Sequence, residues 1–122
     1  MLASLVLASM AMTQDPTAVM VEQQYETRAV AYDQLVEGDY DAAIAELEEE
    51  LADNPGDPAI LINLGSAHAA AGNLERAEFY YTAARETDEH YELELADGRW
   101  IDSREAAALA SATVEVEALA AR

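Results

Sequence analysis

The sequence contains no cysteine, which excludes disulfides, thiol catalysis and cysteine-ligated zinc or iron–sulfur sites. It leaves the compartment open. Lysine is absent too, and 25 acidic residues stand against 6 arginines, for a formal net charge of −19. Phosphate recognition is mainly a Lys/Arg effect, so nucleic acid and anionic membrane surfaces are poor partners. The charge reads either as a solubility or salt adaptation, or as an acidic face that steers a basic partner. Aromatic residues are few: one tryptophan, one phenylalanine and six tyrosines. Much of the 52% apolar content is alanine, which suits close helix-on-helix contact and cannot build a thick aromatic core. The 122 residues make room for one small domain. The ordinary apolar fraction argues against wholesale disorder.

The apolar run Met1 to Met12 (MLASLVLASMAM) is too short to span a bilayer and has the length of a signal-peptide hydrophobic region. Ser9 and Ala11 fit the small-residue cleavage rule, with the cut before Met12, although the usual basic leading residues are missing. Residues 1–14 are therefore expected to be an export signal of a periplasmic or secreted protein, with no membrane span in the mature form. If the run is instead an apolar first turn of helix, a cytoplasmic location is expected.

Asp15-Pro16 is a helix-start signal, and Thr17 to Glu37 contains neither glycine nor proline. One helix is expected there, with Val19, Val30 and Leu35 joined by Tyr25 and Tyr32 on a broad face. Gly38-Asp39 breaks it. A second helix, about Tyr40 to Asp53, carries Ala43, Ile44, Leu47 and Leu51 at helical spacing. The cluster Asn54-Pro55-Gly56-Asp57-Pro58 is a turn. A third helix runs from Pro58 to about Ala71 and stops at Gly72; a fourth runs from Leu74 to about Thr87. Gly38 and Gly72 are 34 residues apart, and so are Ala43 and Ala77, Leu47 and Tyr81, and the starts of Asp39-Tyr40-Asp41 and Asn73-Leu74-Glu75. Two helices per 34 residues is the length of a tetratricopeptide unit.

The second unit, Pro58 to Tyr91, resembles the tetratricopeptide repeat family. Leu61 stands where the family usually has tryptophan, Leu64-Gly65 matches its Leu-Gly pair, and His68 takes the usual tyrosine place. Ala77 and Tyr81 match the alanine and aromatic of the second helix. Gly65 would let the two helices approach, Ala77 would sit at their crossing, and Leu64, Tyr81 and Ala84 would fill the space around it. The first unit, Gln24 to Asp57, matches through Gly38, Tyr40, Ala43, Leu47 and Pro55. Its first helix departs, with Thr27, Val30-Ala31 and Gln34 in the signature places, and Glu50 replaces a usual small residue. The resemblance covers about 68 of 122 residues. It implies a mainly α fold, a short α-solenoid of two repeats over residues 15–91.

After His90 the period changes. Tyr91, Leu93 and Leu95 alternate with Glu92 and Glu94, then Asp97-Gly98 precedes Arg99-Trp100-Ile101-Asp102. Asp-Gly between alternating runs signals a hairpin with a type I′ turn. That register sets Leu95 opposite Trp100 and Leu93 opposite Asp102. An isolated hairpin is marginal in water, so it must dock. Asp102-Ser103-Arg104-Glu105 resembles a capping box opening a last helix, Ser103 to about Ala120. This alanine-rich helix, with Leu109, Val116 and Leu119 as its larger residues, is expected to cap the repeats. Residues 92–122 are thus hairpin plus capping helix.

No phosphate loop, nucleophile elbow or HExxH is present. Of the two histidines, His68 sits at a family packing position and reads as a buried, hydrogen-bonded imidazole; His90 lies in a loop and has no marked role. The run Glu46, Glu48, Glu49, Glu50 reads as a solvated helix face, and Asp39, Asp41, Asp53 and Asp57 lack the spacing of a calcium loop. No catalytic, cofactor or metal residue is therefore assigned. The resemblance implies a protein-binding adaptor with a concave groove lined by the first helix of each unit: Tyr25, Arg28, Tyr32 and Leu35 from one, Ala59, Ile62, Asn63, Ser66 and Ala69 from the other. Arg28 with Asn63 would hold a carboxylate or carbonyl. The family's lysine-dependent clamp for chaperone tails is excluded. The alternative for Tyr25 and Tyr32 is packing against the N-terminal segment or the hairpin. A second hypothesis is homo-oligomerisation through the edge of the 91–102 hairpin, with Trp100 as anchor and Leu95 beside it; its alternative is that both seal the end of the fourth helix. A remote third is a hydrolase or metal binder using clustered acids.

Overall fold

Side chains that cap the backbone decide where the helices of this chain begin and end. The computed structural model describes residues 31–95 and 97–120. In order these form α1 (Tyr32–Glu37), α2 (Tyr40–Asp53), α3 (Pro58–Ala70), α4 (Leu74–Glu86), β1 (Glu92–Glu94), β2 (Trp100–Asp102) and α5 (Ser103–Ala120). The fold is mainly α with a two-stranded hairpin before its last helix, as expected, and the ends of α2 to α5 fall within a residue of the sequence expectation.

The 34-residue spacing is written into the hydrogen bonds of two matching turns. At the end of α1, Gly38 N–H donates to Leu35 and Asp39 N–H to Gln34; at the end of α3, Gly72 N–H donates to Ala69 and Asn73 N–H to His68. Both glycines have left-handed backbone, φ 80° and 89°, and each turn closes the carbonyls a helix end leaves open. The next side chain then caps the following helix. Asp39 accepts from Ala42 N–H at 3.3 Å and Asn73 from Arg76 N–H at 3.2 Å. Every partner in one turn is its counterpart's number plus 34.

One expected element is interrupted. Ala31 takes φ 55° and ψ 33° at the N-cap of α1, a left-handed conformation that a right-handed helix cannot pass through. The unbroken helix from Thr17 to Glu37 is therefore corrected at Ala31, and its earlier part, with the expected signal at 1–14, lies outside the described residues. No glycine or proline marks this break. Ala31 is buried in the core, so tertiary packing selects its backbone.

The core is organised around α3. Its sequence, PAILINLGSAHAA, carries no acidic or basic residue besides His68. A helix apolar on all sides is a buried one, and α3 packs against α2, α4 and α5 with every residue from Pro58 to Ala67 buried. At the crossing with α4, Gly65 faces the Tyr81 ring so closely that an added Cβ would overlap it. Ala77 is fully buried there as well. The repeat ends are tied by polar contacts: Tyr91 donates its hydroxyl to Asp57 at 2.6 Å, and Thr87 donates to the Gly56 carbonyl at 2.8 Å.

The hairpin has a different register from the one the sequence predicts. Leu93 pairs with Ile101, Glu94 with Trp100 and Glu92 with Asp102. Leu95 N–H donates to Arg99 and Gly98 N–H to Leu95, so three residues, not two, connect the strands. Gly98 has φ 87° whereas Asp97 does not take positive φ, which replaces the expected type I′ turn by a longer loop with one left-handed glycine. A one-residue slip turns a strand over. Leu93 and Leu95 are buried and Ile101 half-buried, while Trp100 points outward. Asp102 then caps α5, accepting from Arg104 N–H at 2.8 Å, and Ser103 binds back to Tyr91 through both its backbone N–H and its hydroxyl.

Candidate functional site

The described residues among those expected to line a concave groove are buried and form no open face. Tyr25 and Arg28 lie outside the described residues, as does the side chain of Tyr32. Leu35, Ile62, Asn63 and Ser66 are all interior, the last three at 0% exposure, and so are Ala59 and Ala69. Ser66 shares a 2.9 Å hydrogen bond with the Tyr81 hydroxyl, and burial pushes the Tyr81 phenol above its ordinary range. The physical reason is the composition of α3: without charged residues it has no side to leave in water. Of the two hairpin residues, Leu95 is fully buried and Trp100 is 48% exposed. The structure separates them onto opposite faces, so only Leu95 takes part in sealing the fold.

Among the described residues, an open apolar surface lies between α4 and α5. There a groove of about 870 Å³ is lined by the apolar residues Leu74, Phe79, Ala83, Val114 and Ala118. Glu75, Glu78, Glu86 and Glu115 also line it, with Arg76 the one cation. Phe79 is 61% exposed. It holds its place by an edge contact to Tyr80, centroids 5.2 Å apart at 86°, and by Arg76, whose guanidinium lies 5.5 Å from its ring centre. Arg76 also reaches over the Tyr80 ring and donates to its hydroxyl at 2.9 Å. Behind them His68 stacks on Tyr80 at 5.5 Å and 10°.

His68 differs from its expectation in two respects. It is half-buried, and its Nε2 has no hydrogen-bond partner among the described residues; stacking, not hydrogen bonding, holds the ring. Burial and the neighbouring Arg76 charge lower its pKa, against a smaller opposing pull from Glu48. At the hairpin, His90 Nδ1 lies 3.3 Å from Asp102. The Arg104 backbone N–H, more than His90, holds the Asp102 carboxyl below its ordinary range. Among the described residues no group of three or more His, Asp or Glu is placed to hold a metal ion. No described helix is long and apolar enough to cross a membrane.

The outer side of α5 continues the apolar theme. It packs inward through Ala106, Ala107, Ala110 and Val114 and leaves Leu109, Val116 and Leu119 exposed. The sequence did hold a signal for Phe79. Ala77 and Tyr81 face the crossing with α3, and a residue two places from each is about 200° away around the helix, so an aromatic at 79 must point outward.

Comparison with known families gives one finding: the tetratricopeptide repeat family model matches residues 35–93, from the last turn of α1 to β1. No curated protein and no solved structure matches the chain. Repeats of this family generally mediate protein–protein interaction. Of the family motif residues, Gly65 meets Tyr81 at the α3–α4 crossing and Leu64 and Ala77 are fully buried, while the matched turns recur at 34 residues. Residues 35–93, just under half of the chain, thus match the tetratricopeptide repeat family in sequence and in their helical fold.

Proposed function

We propose that this protein is a non-enzymatic adaptor that binds a protein partner, and that its docking face is the groove between α4 and α5. The observation that carries the reading is Phe79, a large apolar side chain left 61% in solvent on the wall of an apolar groove. Aromatic anchors beside small apolar pockets supply most of the affinity of protein interfaces. The concave face expected from the family is a weaker candidate, because its described members are interior. The test is capture with the full chain and with Phe79→Ser. Partners retained by the first should be lost by the second while thermal unfolding is unchanged. If every captured protein stays bound to Phe79→Ser, the groove is not the docking face.

A second reading rests on Trp100, exposed on the outward side of the hairpin, as an anchor for self-association. The net charge of −19 works against it. Sedimentation over a range of concentrations decides: a strict monomer removes the reading, and an oligomer dispersed by Trp100→Ala supports it. The apolar run at residues 1–12 supports export, for which the mass of the mature protein is the direct measurement.

A further inference from the structure

We infer that the occupant of the α4–α5 groove is a basic amphipathic helix of another protein: an apolar stripe flanked by lysine or arginine. This rests on the reading of the groove as the docking face and adds the chemistry of the partner. Its lining runs from Leu74 to Glu86, the length of α4 and about 18 Å at the helical rise. A trough of that length between two packed helices receives a third helix of about three turns, with anchors at i, i+3/i+4 and i+7. Phe79 on one wall and Val114 and Ala118 on the other supply the apolar contact.

Charge selects among the possible occupants. Four carboxylates line the groove against one guanidinium, and Arg76 is already committed to the Tyr80 hydroxyl and ring. Glu75, Glu86 and Glu115 are exposed and free to meet cations at the edge of a bound helix. A second copy of this chain brings a net charge of −19 and no lysine, so like charges meet across the interface and disfavour it. An acidic peptide meets the same barrier. The apolar lining sets the hold on the partner, and the exposed carboxylates set its sign and raise its rate of association, an effect that salt screens.

The test uses the full chain and three labelled helical peptides of about four turns. One carries a leucine stripe flanked by lysines, the second replaces each lysine by glutamate, and the third keeps the lysines and replaces the leucines by serine. Fluorescence anisotropy should show binding of the first peptide only. Phe79→Ala should weaken that binding about tenfold or more, with circular dichroism and thermal midpoint unchanged because the ring is mostly exposed. Glu75→Gln combined with Glu115→Gln should slow association at low salt and leave the rate at high salt almost unaltered. If the glutamate peptide binds as well as the lysine peptide and Phe79→Ala weakens both, the basic partner is overturned while the groove stands. If the serine peptide binds as well as the leucine peptide, or Phe79→Ala changes nothing, attraction to the acidic surface is all there is and both readings fall. Failure of every peptide to bind overturns both as well.

Discussion

Gly65 and Tyr81 show how much of this fold hangs on one contact. A methyl group at 65 would overlap the Tyr81 ring, and that ring is packed too tightly to withdraw. Gly65→Ala should therefore destabilise the protein by roughly 1–3 kcal/mol through overpacking, read as a lower urea midpoint with unchanged slope. A neutral result would mean that the crossing is looser than described. Tyr81→Phe removes the partner of the buried Ser66 hydroxyl and should lower stability by about 1–2 kcal/mol. His68 gives a pH test of definite sign. Its folded pKa lies below the unfolded one, chiefly through burial, so the unfolded chain takes up the proton first. The stability this histidine contributes is present above about pH 6.5 and is lost as pH falls below it toward the folded pKa. Unfolding curves of the wild type and His68→Gln between neutral and mildly acidic pH should diverge in that direction; parallel curves would remove the argument.

The register of the hairpin decides which of its side chains carry stability. In the observed register Ile101 faces the core beside Leu93 and Leu95, and Trp100 faces water. Ile101→Ala should then cost more stability than Trp100→Ala, which should stay within about 0.5 kcal/mol. The reverse order would restore the pairing of Leu95 with Trp100 that a two-residue turn demands. Gly98 has φ 87° with open space where a Cβ would sit, so Gly98→Ala should cost about 1 kcal/mol from backbone strain alone. The helices were legible from sequence because their ends are local: Asp39, Asn73 and Asp102 each cap an amide two or three residues ahead. The hairpin register was not, since Asp97-Gly98 serves both a two-residue and a three-residue loop. What chooses is which leucines reach the core.

At the scale of the whole molecule, charge is the dominant variable. The ion pairs seen among the described residues, Arg99 with Asp97 and His90 with Asp102, are exposed, and such pairs contribute little. Repulsion within a chain of net −19 is the larger effect, and added salt screens it. The thermal midpoint should rise with sodium chloride concentration. A midpoint that falls with salt would show that attractive pairs outweigh the repulsion. The same charge makes association with a basic helix salt-sensitive, so stability and binding should respond to salt in opposite directions.

The sequence by itself determined the repeat: its 34-residue spacing and its helix ends, set by hydrogen bonds within a few neighbours along the chain. It also set the sign of the surface. Tertiary structure decided the rest. Packing on several sides buried Ile62, Asn63 and Ser66, which one helix considered alone would offer to a partner. It bent the backbone at Ala31, where no residue type marks a break, and turned Trp100 out and Ile101 in. It also left Phe79 standing over a groove formed by two helices whose meeting no local pattern encodes. Burial is a property of what lies on the other side, and that is fixed only when distant parts of the chain come together.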